Sequence, residues 1–145
     1  MKAKSGFTLV EILIVVVILG ILAAIVIPQF TEASTEAKLS SLCTDLQTMR
    51  SQIELFKIQH NDDLPGANAG TTFTEAMTGT TDVAGAIGGT YGPYVQKIPS
   101  NQFTDTDNIT EGVADPAPVD ATGAWYFNTN TGAFHAVDTA AHLAL

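Results

Sequence analysis

The chain has 145 residues, 46% of them hydrophobic, with a formal net charge of −9 and a single cysteine. Such a surface repels nucleic acid and anionic membranes, and no basic stripe interrupts it, so nucleic-acid binding by this chain is not expected. One cysteine excludes an intrachain disulfide and a cysteine-based metal site, so the roughly 115 residues beyond the apolar start must hold one small domain together by packing.

Met1 to Gly6, MKAKSG, carries Lys2 and Lys4 and ends in a small residue. The next stretch, Phe7 to Ile27, contains one hydroxyl, Thr8, one carboxylate, Glu11, and otherwise only apolar side chains and Gly20. As a helix, these residues reach about 31 Å, close to the ~30 Å hydrocarbon core of a bilayer. An isolated carboxylate there costs about 2.5–3.5 kcal/mol, so Glu11 needs a partner. A cut just before Phe7 would supply one, because the new α-amino group would lie four residues from Glu11, within one chain or across two neighbours. An ordinary secretory signal is cleaved after its apolar region, and the only comparable place here, Ala23-Ala24, has Leu22 and Ile21 where small residues belong.

The run K-S-G-F-T-L-V-E-I-L, followed by apolar residues and I-P-Q-F, resembles the amino terminus of type IV pilins and of the pseudopilins of type II secretion. The resemblance implies that a prepilin peptidase cuts between Gly6 and Phe7 and N-methylates Phe7. It implies that Glu11 pairs with a neighbour's amino terminus during filament assembly. It also implies a polytopic membrane platform protein, an assembly ATPase, and minor pilins or pseudopilins as partners. Loss of Lys2 and Lys4 with the leader takes the formal charge from −9 to −11 before the new amino group is counted. A plain single-span tether carrying a binding domain is the alternative that the apolar run alone leaves open, and a secreted enzyme behind an ordinary signal is a third.

Gly20 and Pro28 are the weak points of the apolar helix. Pro28 lacks an N–H and its ring clashes with the carbonyl of Ala24, so a kink or local melting is expected. Beyond it the pattern becomes one-sided: Leu39, Leu42, Leu46, Met49, Ile53 and Phe56 follow one another at spacings of three and four, an amphipathic helix to be laid on a sheet. The repeat is too short for a coiled coil. From Phe7 to about Gln59 the helix would run some 80 Å. Within it, Cys43 reads as a small buried apolar group.

His60 to Gly66 ends the helix with turn formers and a proline. A short helix is expected at Phe73 to Met77. Gly85 to Gly89 lacks the lysine and spacing of a phosphate loop and reads as a connecting loop. Tyr91-Gly92-Pro93-Tyr94-Val95-Gln96-Lys97-Ile98-Pro99-Ser100-Asn101 resembles the G-P-Y-L-x-K-I-P-x-N-P segment of major pseudopilins, with Gln102 in place of the last proline. Its prolines bracket an aromatic and aliphatic cluster suited to pin the loop against the helix.

Phe103 to Gly123 is acidic and reads as irregular. Asp105, Asp107 and Asn108 are the weak calcium candidates that the resemblance raises. The loop pattern of the family's calcium site is absent, and no EF-hand spacing replaces it. Asn108-Ile109-Thr110 matches a glycosylation sequon, a frequent chance match. Ala124 to Phe127 and Ala133 to Val137 flank a glycine-containing loop as an aromatic hairpin, with Trp125, Phe127 and Phe134 on the face that receives the helical stripe. His135 reads as a partly exposed strand residue and His142 as part of a terminal tail. No nucleophile or metalloprotease motif is present, so no enzymatic activity and no obligate cofactor are expected.

The expected fold is α+β and pilin-like: a long N-terminal helix, membrane-spanning in its first half and amphipathic in its second, packed on a small antiparallel β-sheet. The expected divisions are a cleaved leader at 1–6, the helix at 7–60 with its transmembrane segment at 7–27, and a globular head at 61–145. The expected function is that of a major pseudopilin-like filament subunit that polymerises with itself, with a type IV pilus subunit as the alternative. Before assembly it would sit in lipid as a single-pass inner-membrane protein with its head in the periplasm.

Overall fold

The computed structural model describes residues 6–68 and 70–145. The leader lysines, Lys2 and Lys4, lie outside the described residues. Two compact units are present, residues 1–37 and 38–145. Three strands, two α-helices and a short 3-10 helix make up the regular structure among the described residues.

Helix α1 (Leu9–Gln59) carries Pro28 inside it, and the chain stays helical through both Gly20 and Pro28. The large apolar side chains from Phe7 to Phe30 are all exposed. By length and composition, α1 is apolar enough to cross a membrane. Its later part changes character as the periodicity predicts. Leu42, Leu46, Met49, Ile53 and Phe56 are buried, and Leu39 packs partly against them. At about 2 kcal/mol for each large buried side chain, this stripe rather than intrinsic propensity holds the helix to the head. Cys43, beside Leu42, is half-buried. The helix ends where Asn61 and Asp62 turn left-handed (φ 55° and 68°), conformations that Asn and Asp tolerate better than most side chains, while Asp62 N–H donates to the Lys57 carbonyl.

Helix α2 (Phe73–Thr78) opens with a capping box. Thr72 Oγ1 accepts from the Glu75 amide, and the Glu75 carboxylate accepts from both the amide and the hydroxyl of Thr72. Those bonds from Thr72 hold the Glu75 carboxyl below its ordinary value of 4.5. Its stabilising contribution is therefore complete above the unfolded pKa and is lost as pH falls through the depressed folded one. Amide exchange at Glu75 and Ala76 should accelerate, relative to the core strands, as pH drops below that ordinary value.

The sheet has the order β1-β2-β3, with β1 at Ile109–Gly112, β2 at Trp125–Asn128 and β3 at Phe134–Ala136. The hairpin β2-β3 is antiparallel, with Trp125 opposite Ala136 and Phe127 opposite Phe134, as expected. The expectation of a wholly antiparallel sheet is corrected: β1 pairs with β2 in parallel, Ile109 opposite Trp125, so the sheet is mixed. It is also corrected that 103–123 is irregular, since β1 lies within it. The physical reason is the chain between them. Residues 113–124 provide the dozen or so residues that a parallel crossover requires. They also place Ala117 with Val137 over Tyr126, on the opposite side of β2 from the main core. The Tyr126 hydroxyl accepts from the Ala114 amide at 2.7 Å, and Asn128 Nδ2 donates to the Ala114 carbonyl at 3.1 Å, which fastens the crossover to the strand it covers.

Trp125, Phe127 and Phe134 join the α1 stripe in one core, together with Phe73 and Met77 of α2. Arg50 clamps helix to hairpin by donating from Nε and Nη2 to the Phe134 carbonyl, at 3.1 and 2.9 Å. The loop of residues 91–101 docks against the same helix. Tyr94 donates to Gln59 Oε1 at 2.6 Å, its ring meets Phe56 at 5.1 Å, and the amides of Tyr94 and Val95 both donate to the Met77 carbonyl. Gly92 there has φ 83°, and a Cβ would meet the Gly79 carbonyl oxygen at 2.6 Å, so only glycine fits.

Candidate functional site

Gly6, Phe7 and Thr8 precede the first helical turn, are exposed and lie outside regular structure. The Gly6–Phe7 peptide bond therefore has the open backbone that a protease needs. With Glu11 these residues line a shallow recess of ≈ 230 Å³.

Glu11 occupies the third position of the helix, counted from Thr8 as N-cap. Its Oε2 accepts from the Thr8 amide at 2.7 Å and from the Thr8 hydroxyl at 2.7 Å, and the Glu11 amide donates to Thr8 Oγ1 at 3.2 Å. This is a second capping box, and it answers the partner requirement that the sequence raises for Glu11: the carboxylate is held by its own helix start, where the macrodipole also favours a negative charge. Thr8 is the residue that reasoning from charge alone misses. The signal is present as Thr8-Leu9-Val10-Glu11, the S/T-x-x-E spacing that opens helices. Glu11 is thereby aimed at the chain segment that would carry a new amino group at Phe7.

The other candidates lie elsewhere. Asp107 pairs with Lys97 at 3.4 Å, Asn108 Oδ1 accepts from the Ala124 amide at 2.9 Å and from the Thr106 hydroxyl at 3.0 Å, and Asp105 sits in a left-handed turn with φ 54°. Among the described residues no three His, Cys, Asp or Glu side chains converge as a metal-binding group. Asn108 uses its carbonyl oxygen to anchor the start of β2, a structural role for the sequon residue.

The histidines have structural environments. His60 is fully buried between Phe56, against which it stacks at 3.7 Å, and Thr81. Its Nδ1 donates to the Phe56 carbonyl at 2.7 Å and its Nε2 shares a hydrogen bond with the Thr81 hydroxyl at 2.9 Å. His135 is half-buried on β3. His142 is not in a loose tail: in a 3-10 helix, His142–Ala144, its Nδ1 meets Asp138 Oδ2 at 2.7 Å, and the other Asp138 oxygen takes the Asn101 amide group at 2.9 Å.

The prokaryotic N-terminal methylation motif matches residues 1–27, the stretch that holds Gly6, Phe7 and Glu11. The similarity to that motif is confined to the amino-terminal arm. The chain is 41% identical over 59 residues to type II secretion system core protein G of Pseudomonas aeruginosa, covering 41% of the chain and 42% of that relative. It is 34% identical over 61 residues to core protein G of Vibrio cholerae, covering 42% of each. A fimbrial protein of Pseudomonas aeruginosa is 41% identical over 54 residues, 37% of the chain and 35% of the relative. The chain thus spans about two fifths of the length of the curated relatives it matches. No solved structure matches it. The long, exposed, apolar amino-terminal helix that carries the motif fits a membrane anchor.

Proposed function

We propose that this chain is the major pseudopilin-like subunit of a type II protein secretion system. The observation that carries the reading is the placement of Glu11 by Thr8 at the start of an exposed apolar helix, directly after an open Gly6–Phe7 bond. Prepilin peptidase cuts that bond and methylates Phe7. The subunit then waits in the inner membrane with its head in the periplasm, supported by the length and exposure of the apolar half of α1. During assembly, packing of stems replaces lipid contacts with protein contacts, and the free oxygen of Glu11 takes the Phe7 amine of a neighbour in a dry environment, where such a pair is strong. The product is a helical homopolymer, joined by minor pseudopilins and driven by a platform protein and an ATPase. The role is structural, with no reaction catalysed. Similarity to core protein G, and the Tyr91 to Asn101 segment docked on α1, support secretion. Similarity to a fimbrial protein supports the second reading, a subunit of a type IV pilus.

The two are separated by shearing cells, collecting surface filaments and sequencing the chain by mass spectrometry. The expected result is a chain that begins at a methylated Phe7 and stays in the cell envelope. The same start in sheared surface filaments would establish the pilus, and a chain that still begins at Met1 would leave only a membrane tether.

A further inference from the structure

The cations of the described residues are Lys38, Arg50, Lys57 and Lys97. Arg50 is committed to the carbonyls of Phe134 and Leu145, Lys57 to Glu54 at 3.1 Å, and Lys97 to Asp107 at 3.4 Å. Lys38 is exposed and has no carboxylate partner among the described residues; its ammonium lies 5.8 Å from the centre of the Phe103 ring. On the same helix, Glu32 and Glu36 stand one turn apart, exposed and without a hydrogen bond or ion pair. At about 100° per residue, Lys38 lies roughly 200° round the axis from Glu36 and roughly 240° from Glu32. A helix with opposite charges on opposite faces makes a head-to-tail contact that repeats without closing, the geometry of a filament.

The register of such a contact follows from the assembly proposed above, on which this inference rests. If Glu11 of one copy takes the Phe7 amine of the next, the copies are displaced along the filament by four residues, about 6 Å. Copies related by one repeated operation carry that displacement at every level, whatever α1 does between Gly20 and Pro28. Lys38 of one copy then stands level with residue 34 of its neighbour, with Glu32 and Glu36 two residues, or about 3 Å, to either side. A lysine side chain spans that distance easily.

We propose that Lys38 of each copy bridges Glu32 and Glu36 of the adjacent copy, a second ionic rung of the polymer beyond the apolar span. In a processed chain of formal charge −11 before the new amino group is counted, such a rung offsets part of the repulsion that packing copies together creates.

The test uses the full-length chain in cells with its assembly machinery, and reads sedimentable polymer after shear against total membrane-inserted protein. Lys38→Glu alone, and Glu32→Lys with Glu36→Lys, are each expected to lower polymer about tenfold, and the three changes together to restore it to within about twofold of the unaltered chain. Trp125 fluorescence, unchanged in all variants, reports an intact head. Wild-type amounts of polymer from Lys38→Glu, or a triple variant no better than the single-sided ones, would overturn the bridge while leaving the pseudopilin reading intact. An unaltered chain that forms no polymer would overturn both.

Discussion

Glu11→Val is expected to leave the chain in the membrane and to stop it from polymerising. The substitution removes a carboxylate that would cost about 2.5–3.5 kcal/mol at mid-membrane and less near the end of the span, so insertion is not impaired. In the filament it strands the neighbour's Phe7 amine in a dry environment, and an uncompensated buried charge costs about 3–5 kcal/mol, or roughly two to nearly four decades in the assembly equilibrium. Sedimentation of sheared polymer against the membrane-inserted pool measures both effects in one experiment. Glu11→Gln separates charge from capping. A glutamine at this position can still accept from the Thr8 amide, completing the box seen in the structure, but carries no charge. If Glu11→Gln assembles like the unaltered chain, the capping role is what assembly needs and the ionic account of Glu11 is wrong. If both variants fail while inserting normally, the charge is what matters.

Phe127→Ala is expected to lower the thermal unfolding midpoint of the head by more than about 10 °C. Phe127 is fully buried, its ring 4.3 Å from Phe73, at the point where β2, α2 and the α1 stripe meet. Emptying such a site costs about 3–5 kcal/mol, because the surrounding aromatics fill the gap only in part. Small domains have only about 5–15 kcal/mol of stability in total, so this one change removes a large part of it. Trp125, the single tryptophan, is fully buried two residues away and donates to the Pro99 carbonyl at 2.8 Å, so its emission reports the loss directly. A midpoint of thermal unfolding that moves by only a degree or two would show that this core is less tightly coupled than its burial indicates. Tyr126→Phe, which removes one hydroxyl from the crossover latch, should cost much less, about 1 kcal/mol.

Both variants act on residues visible in the sequence, yet by different routes. The amino-terminal arm is legible because its physics is local. A leader with two lysines, an uninterrupted apolar run and one carboxylate four residues from Phe7 state their chemistry without any long-range contact. The capping box was legible by the same token, as a hydroxyl three residues before a glutamate. The amphipathic stripe and the aromatic hairpin also declare themselves by period, 3.6 for the first and 2 for the second. Tertiary structure alone decided the rest. Ile109 to Gly112 has the polar, short look of a loop, and becomes a strand only because residues 113–124 cross over Tyr126 and lay it parallel to β2. His60 looks like a helix-ending residue until Thr81, 21 positions later, arrives to bond its Nε2. Likewise His142 looks like a tail until Asp138 and Asn101 enclose it. Periodicity reports which face of an element is apolar; which distant polar group a buried side chain will meet depends on the path of the whole chain, and that is fixed only when the core closes.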